Sequence, residues 1–137
     1  DMHAKFRDTS SQKILIVDDD ELIRKFFKKF LERQGYTLEF AIDGFDAGIK
    51  AMGFKPDLII LDLIMPNMDG FSVCQQIKRT PDTSSIKIIA ISGYNNEINR
   101  EKIFAVGADA FLPKPIDSEL MLKTIDELIN KSQLKAV

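Results

Sequence analysis

The stretch that decides the fold is residues 58–70, LIILDLIMPNMDG. Its first four residues are a continuous apolar run rich in isoleucine, which is typical of a strand buried on both faces of a parallel sheet. Asp62 stands where that strand should end, and Pro66 and the Asp69-Gly70 pair then mark a loop. Ligands of open parallel sheets bind beyond the carboxyl ends of the strands. The stretch therefore predicts a buried strand that carries a carboxylate to the functional edge of a sheet.

The same strand-then-helix pattern occurs five times along the chain. Glycine or aspartate marks several of the helix ends, and each helix is long enough for a right-handed crossover between parallel strands. The sequence therefore predicts an α/β fold in which helices cover both faces of one parallel sheet. The predicted strands are residues 13–17, 37–42, 58–62, 86–91 and 110–112, and the predicted helices are about 21–34, 43–52, 70–79, 95–107 and 117 onward.

Apolar spacing and caps add detail to three of these helices. The second helix is predicted to be capped by Asp43 and the last by Asp117. The first helix has an apolar stripe wider than one buried face needs, formed by Leu22, Ile23, Phe26, Phe27, Phe30 and Leu31. In the last helix, the residues predicted to face inward are Leu120, Leu122, Ile125, Leu128 and Ile129.

Length and composition restrict the function classes. A chain of 137 residues suits one domain with one core, and we expect a tail over residues 1–12, the domain over 13–132 and a second tail over 133–137. The net charge of -2 predicts no general attraction to nucleic acid or to anionic lipid. Neither a signal peptide nor an apolar run of about 18 residues is visible. These features predict a cytoplasmic protein without membrane contact.

The single cysteine and the single histidine have ordinary predicted settings. Cys74 cannot form a disulfide within the chain, and its helical spacing with Val73 and Ile77 predicts a small buried or half-buried residue. His3 lies in the predicted tail. We therefore expect no catalytic or metal-binding role for His3.

Four of the five predicted strands end on side chains that can do chemistry. The first supplies Asp18 and Asp19, the third Asp62, the fourth Ser92 and the fifth Lys114. In a parallel sheet these ends reach the same edge, where three carboxylates and one ammonium leave an excess of negative charge. Close like charges raise pKa values and cost stability unless something neutralises them. Mg²⁺ suits such a site, because it binds a few carboxylates, several waters and a substrate phosphate.

The same side chains suit phosphoryl transfer. Such transfer depends on positioning and on charge neutralisation, and a carboxylate can act as the nucleophile and form an acyl phosphate. Mg²⁺ and Lys114 would be the positive neighbours of the phosphoryl group, and Ser92 would donate a hydrogen bond to it. Each residue alone also has a structural explanation, such as a turn serine or a solvated lysine, but their joint placement favours function.

This set of motifs resembles the receiver domain of two-component response regulators, over about residues 13–132. The motifs are Ile14-Leu15-Ile16-Val17-Asp18-Asp19, Asp62 with Met65-Pro66 and Asp69-Gly70 after it, Ser92-Gly93, Gly107-Ala108-Asp109 and Lys114-Pro115. The resemblance implies a single flavodoxin-like (βα)5 domain, doubly wound, with a five-stranded parallel sheet in the order 2-1-3-4-5.

The resemblance also implies a role for each site residue. Asp62 would be the phosphoacceptor, and Lys114 and Ser92 would contact the phosphoryl group. The Mg²⁺ site would comprise Asp19 as a direct ligand, Asp18 acting mostly through water, Asp62 and the backbone carbonyl of Ile64. Phe111 matches an aromatic switch position, and we expect it to turn from a more exposed to a more buried setting as Ser92 moves toward the phosphoryl group. The Lys114-Pro115 bond is cis in the family.

The implied function is a phosphorylation-dependent switch rather than a turnover enzyme, although the domain would catalyse its own phosphorylation and dephosphorylation. The phosphoryl donor would be a sensor histidine kinase or a histidine phosphotransfer protein. Leu22 and Phe26 are its candidate docking residues, with ordinary core packing as the other interpretation. Phosphorylation would change the face formed by the fourth helix, the fifth strand and the fifth helix.

The phosphorylated state is predicted to be long-lived. Hydrolysis needs a water held in line with phosphorus, and polar side chains near the site position that water. The two side chains best placed by sequence are Ile64 and Tyr94. Ile64 cannot bind a water, and the hydroxyl of Tyr94 is expected to lie beyond the attack position.

Three other functions compete with this one. A haloacid-dehalogenase-type phosphatase would use Asp18 as its nucleophile, but it needs another acidic pair on a strand after the lysine and leaves Asp62 without a role. A flavodoxin-like FMN protein needs a phosphate loop after the first strand, where three aspartates would repel the phosphate. A non-phosphorylated, receiver-like interaction module would not need the intact acid set.

Overall fold

A computed structural model of the chain describes residues 12–66, 68–93 and 97–130. Its central sheet has five parallel strands in the order β2-β1-β3-β4-β5, as predicted. The fold is therefore a flavodoxin-like α/β fold. The strands are β1 (Lys13–Val17), β2 (Thr37–Ala41), β3 (Leu58–Asp62), β4 (Lys87–Ser92) and β5 (Ala110–Pro113).

Helices follow each of the five strands. They are α1 (Glu21–Arg33), α2 (Gly44–Gly53), α3 (Gly70–Arg79), α4 (Glu97–Ala105) and α5 (Ser118–Ile125), and a π-helical turn (Asp126–Asn130) continues α5. The predicted caps are confirmed, because Asp43 accepts a hydrogen bond from the Asp46 N–H and Asp117 accepts one from the Leu120 N–H. The predicted start of the fourth helix at residue 95 or 96 lies outside the described residues.

Two apolar clusters cover the two faces of the sheet. On one face, alternate residues of the strands pack against α2, α3 and α4, and this cluster includes Leu61, Cys74 and Ile103. On the other face, the intervening residues pack against α1 and α5, and this cluster includes Ile60, Phe27 and Met121. All of β3 is buried, as its apolar run predicted. Burial also confirms the prediction for Cys74, and it raises the pKa of the Cys74 thiol to about 11.

The turn after β3 contains a short hairpin that the sequence did not predict. The strands Ile64–Met65 and Met68–Asp69 pair antiparallel. Gly70 then starts α3 against the end of β3, where a Cβ atom on it would lie 2.6 Å from the Leu63 Cα and 3.0 Å from the Asp62 carbonyl oxygen. Only glycine lets α3 approach this closely, and the turn is thereby held beside Asp62.

The inner face predicted for the last helix is partly wrong. Leu120 is 40% exposed, whereas Met121 is fully buried. Asp117 sets the first turn of α5 so that Met121 and Ile125 point inward, and Leu120 lies about 100° around the helix from Met121. The other three predicted inner residues are partly buried and pack on the same cluster as Ile125; they are Leu122, Leu128 and Ile129.

The ends of the domain are only partly described. Residues 1–11 and 131–137, which include His3 and the predicted C-terminal tail, lie outside the described residues. Gln12 already belongs to the fold, because its carbonyl accepts a hydrogen bond from the Thr37 N–H and its side chain donates one to the Ile129 carbonyl. Among the described residues, no helix combines the length and apolar character that crossing a membrane requires.

Candidate functional site

The two acids after β1 and the acid that ends β3 meet at one edge of the sheet. Asp18 and Asp62 are buried, at 0% and 3% exposure, whereas Asp19 is exposed. One carboxylate oxygen from each of the three lies within 4.8 Å of the others. The Asp18 N–H donates to the Ala41 carbonyl, which extends the sheet by one residue and fixes the chain at this point. The predicted acid cluster is therefore formed.

Lys114 brings one positive charge to this cluster. Its Nζ atom lies 3.3 Å from Asp62 Oδ2 and 3.6 Å from Asp18 Oδ2. The Lys114 N–H donates to the Ser92 carbonyl, which places the lysine by prolonging the pairing of β4 with β5. The Lys114-Pro115 peptide is cis, as the resemblance implied.

Burial makes the two inner carboxylates costly to ionise. It raises the pKa of Asp18 to about 6, with a further rise from the charge of Asp62, while the hydrogen bond from the Asp20 N–H and the charge of Lys114 oppose it. Burial also raises the pKa of Asp62, against the charge of Lys114 and a hydrogen bond from the Ile64 N–H. The single positive charge of Lys114 does not neutralise three carboxylates. Binding of a cation at this site would therefore be favourable.

The donor set fits Mg²⁺. Asp18 Oδ2 is buried and accepts no hydrogen bond from the described residues. The Lys114 ammonium lies 3.6 Å from it, and a divalent cation in contact with this oxygen would further lower the cost of its burial. All the candidate ligands are oxygens, which hard cations prefer. The Ile64 N–H donates to Asp62 Oδ1 at 3.3 Å. This hydrogen bond holds the backbone of Ile64, whose carbonyl is the fourth predicted Mg²⁺ ligand, next to the Asp62 carboxylate.

The structure corrects one expectation about the switch residues. Ser92 is fully buried at the end of β4, in register with Pro113. Phe111 is only 4% exposed and belongs to the apolar cluster on the α2–α4 side of the sheet. The expectation that Phe111 starts in an exposed setting is therefore wrong, because its place on β5 directs the ring toward the sheet face that these helices cover.

The candidate docking residues lie on the outer side of α1. Leu22 is 75% exposed and Phe26 is 38% exposed, whereas Phe27 and Leu31 are fully buried. The ring of Phe26 packs edge-on against Phe27 and stacks on Phe30. Core packing therefore explains the inner part of the apolar stripe but does not explain the exposed Leu22.

Of the two residues predicted to affect the lifetime of the phosphoryl group, Ile64 is 48% exposed, and Tyr94 lies outside the described residues.

Two further residues touch the acid pair, and sequence reasoning gave them no role. Arg24 Nη1 donates to the Asp18 carbonyl at 2.9 Å, and Met65 Sδ accepts a hydrogen bond from the Asp19 N–H at 3.1 Å. Arg24 lies in the helix that follows the acids, and Met65 lies in the turn after β3. Neither position carries a local signal for its contact, because the Arg24 contact depends on how α1 leaves β1 and the Met65 contact depends on how β1 and β3 pair.

Comparison with known proteins decides the family. Residues 14–126 match the family model described as the response regulator receiver domain. The chain belongs to this receiver domain family.

The structure also bears on the competing phosphatase function. A haloacid-dehalogenase-type phosphatase would need an acidic strand after the lysine, but in the described residues only α5 and the π-helical turn follow β5.

Relatives of this receiver domain come from several organisms. It is 37% identical to the DNA-binding dual master transcriptional regulator RpaA of Synechocystis over 88% of this chain and 50% of that protein. The chain spans about half the length of the curated relatives that it matches.

Solved structures resemble it over nearly their whole length. The signal receiver domain of a DNA-binding response regulator from Colwellia psychrerythraea has a TM-score of 0.83 and 38% identity, covering 88% of this chain and 99% of that one. The receiver domain of a sensor histidine kinase from Pseudomonas aeruginosa has a TM-score of 0.79 and 25% identity, covering 87% and 98%. That structure holds a magnesium ion coordinated in its active site cleft.

Proposed function

We propose that this receiver domain accepts a phosphoryl group on Asp62 in a step that requires Mg²⁺. The observation that carries the proposal is the burial of Asp62 between the ammonium of Lys114 and an acid pair in which one buried oxygen accepts no hydrogen bond from the described residues. A buried carboxylate placed in this way has one positive neighbour in Lys114, and a Mg²⁺ ion held by the acid pair would supply the second positive charge that a phosphoryl group requires.

The phosphoryl group would be transferred by a simple displacement at phosphorus. A carboxylate oxygen of Asp62 forms a bond to phosphorus, and the bond from phosphorus to the donor nitrogen of a phosphohistidine breaks. Asp18, Asp19, Asp62 and the Ile64 carbonyl would hold the Mg²⁺ ion, which supplies neutralisation of the phosphoryl charge. Lys114 already lies beside Asp62 Oδ2 and would stay beside the phosphoryl oxygens after transfer. The domain thus promotes its own phosphorylation and dephosphorylation without turnover of a separate substrate.

The response would pass from Asp62 through Ser92 to β5. Ser92 ends the strand next to β3, so its hydroxyl would move only a short distance to donate to the new phosphoryl group. Phe111 lies on the neighbouring strand, and its ring would repack from its buried position. The surface formed by α4, β5 and α5 would change as a result.

The donor would be a sensor histidine kinase or a histidine phosphotransfer protein in the cytoplasm. Leu22 and Phe26 would contact it, because they are the exposed part of the apolar stripe on α1 and follow closely after Asp18 and Asp19. The partner of the switched surface would be a downstream output domain or a separate output protein. The domain itself, with a net charge of -2, would not bind nucleic acid directly.

Intact-mass spectrometry after incubation with acetyl phosphate tests this function. We expect the wild type to gain one phosphoryl group with Mg²⁺ and none without it, and Asp62→Asn to gain none. Asp18→Asn should gain it more slowly, because only a cation ligand is lost. A covalent phosphoryl group that survives in Asp62→Asn but disappears in Asp18→Asn would contradict the proposal, and a wild type that gains no group would favour the non-phosphorylated interaction module.

A further inference from the structure

A single peptide bond at the site is held from both sides. It joins Asp18 to Asp19, the two acids that follow β1. Its carbonyl oxygen accepts a hydrogen bond from Arg24 Nη1 at 2.9 Å, and its N–H donates to Met65 Sδ at 3.1 Å. Arg24 belongs to α1, whereas Met65 belongs to the hairpin after β3. Two separate parts of the chain therefore hold one peptide unit.

We propose that Arg24 and Met65 are positioning residues that set the directions of the Asp18 and Asp19 carboxylates for the divalent cation. The inference rests on the proposed function, since it concerns the same Mg²⁺ site. Both residues act through the peptide that they hold, and Met65, as an uncharged thioether, serves here as a hydrogen-bond acceptor.

Asp19 depends most on this peptide. Asp18 is fixed in other ways, because it is buried and its Oδ1 accepts a hydrogen bond from the Asp20 N–H at 2.9 Å. Asp19 is exposed, so the direction of its side chain follows from the backbone that carries it. Mg²⁺ demands ligands at about 2.0–2.1 Å in near-ideal octahedral geometry. A rotation of the peptide would move the Asp19 carboxylate out of that geometry.

Ordinary packing is the competing explanation for Met65, which is 6% exposed within the apolar cluster on the α2–α4 side. Met65→Leu separates the two explanations, because leucine keeps the apolar volume and removes the acceptor. If packing is the whole role, the substitution leaves the Mg²⁺ affinity unchanged. If the thioether positions Asp19, the Mg²⁺ affinity falls by more than the free energy of unfolding does, because the apolar packing is kept while the exposed Asp19 carboxylate loses its direction.

For Arg24, the direction of the change in Mg²⁺ affinity shows whether its hydrogen bond or only its charge affects the site. A guanidinium near the site repels a cation, so the loss of its charge alone would strengthen Mg²⁺ binding. The loss of its hydrogen bond to the Asp18 carbonyl would weaken Mg²⁺ binding instead. Arg24→Gln removes the charge and shortens the side chain, and Arg24→Lys keeps the charge without the planar group of donors.

The experiment is an Mg²⁺ titration of the full chain followed by NMR, together with urea unfolding in the absence of Mg²⁺. We expect Arg24→Gln and Met65→Leu each to raise the Mg²⁺ Kd by about tenfold, the low end for residues that orient metal ligands. The double variant should lose less than the product of the single effects, because both residues hold the same peptide. The matched controls are Lys28→Gln, on the exposed side of α1, and Met68→Leu, in the same hairpin; their Kd should stay at the wild-type value.

The outcomes separate the inference from the function on which it rests. Tighter Mg²⁺ binding by Arg24→Gln, or a wild-type Kd for Met65→Leu, would overturn the positioning role. The positioning role would also be overturned if, in each variant, the free energy of unfolding fell by as much as the free energy of Mg²⁺ binding. If the wild type binds no Mg²⁺ and gains no phosphoryl group, the proposed function itself fails. If the wild type does both and the variants match it, only the positioning role fails.

Discussion

The Oδ2 atom of Asp18 is buried, and the Nζ atom of Lys114 lies 3.6 Å from it, beyond hydrogen-bond distance. The negative charge of the Asp18 carboxylate is therefore only partly neutralised by Lys114. Its pKa, raised to about 6 by burial in the first place, reflects this. The same uncompensated oxygen that favours a cation also makes the ionised site a source of instability when no cation is present.

The first prediction follows from this pKa. Between pH 4 and pH 6 the folded protein keeps the Asp18 proton, whereas the unfolded chain, with a pKa of 3.8, has released it. The folded state binds more protons, so the free energy of unfolding falls as the pH rises through this window. In buffer without divalent cations, urea unfolding should show that the wild type loses roughly 2 kcal/mol more than Asp18→Asn from pH 4 to pH 7.

Mg²⁺ provides the control for this prediction. At pH 7, saturating Mg²⁺ should restore stability to the wild type, because only the folded site binds it. Asp18→Asn should gain less, since it lacks one carboxylate of the cluster. Parallel pH profiles for the two proteins would show that burial of Asp18 does not limit stability.

The second prediction concerns the contact between Gly70 and β3. Gly70→Ala should destabilise the domain by about 2 kcal/mol or more, because its Cβ would meet backbone atoms of Leu63 and Asp62 that cannot move freely. Gly48→Ala is the matched control within a helix, with no atom within 4 Å of the added Cβ, and it should stabilise by about 0.5–1 kcal/mol. Thermal and urea unfolding measure both effects, and equal effects of the two substitutions would contradict the prediction.

Much of the site could be predicted from the sequence, for a physical reason. Strand ends of a parallel sheet converge at one edge, so the order of apolar runs was enough to bring Asp18, Asp62 and Lys114 together. The contacts of Arg24 and Met65 could not be predicted, because sequence patterns give neither the angle at which α1 leaves β1 nor the position of Met65 beside the end of β1. The prediction that Leu120 faces inward rested on its apolar side chain, whereas the rotation of α5 turns Met121 and Ile125 inward and leaves Leu120 40% exposed.

The third prediction tests the docking residues on α1. Leu22→Ala and Phe26→Ala should slow phosphoryl transfer from the donor protein and leave the rate with acetyl phosphate unchanged. Leu22 is 75% exposed, so its substitution should change the free energy of unfolding by no more than about 0.5 kcal/mol. Phe45→Ala, at 80% exposure on α2, is the matched control and should leave both rates unchanged. A fall of both rates together would indicate a structural role instead.

The fourth prediction concerns Phe111. A ¹⁹F label on this ring should report a changed environment when beryllofluoride and Mg²⁺ are added, and the starting signal should be that of a buried ring. The reason is the pairing of β4 with β5, which links the ring to the strand that ends at Ser92. The same label at Phe27, buried on the opposite face of the sheet, should change little. A Phe111 signal that stays constant at saturating beryllofluoride would show that this residue is static.

The fifth prediction is a long lifetime of the phosphoryl group on Asp62. A water must be held in line with phosphorus, opposite the leaving carboxylate oxygen, and polar side chains beside the site would hold it. Ile64 follows Asp62 by two residues and is 48% exposed, so it presents an apolar side chain to the solvent side of the site. Neither Ile64 nor Tyr94 offers a carboxylate or an amide to orient the water.

Ile64→Asn and Tyr94→Glu, singly and together, should therefore shorten the lifetime. The decay is measured by intact mass in Mg²⁺ buffer after the donor is removed. Ile64→Val is the matched control, because it keeps the position apolar and should decay at the wild-type rate. If the wild type already decays as fast as the double variant, backbone groups and Lys114 hold the water, and these two positions do not determine the rate of hydrolysis.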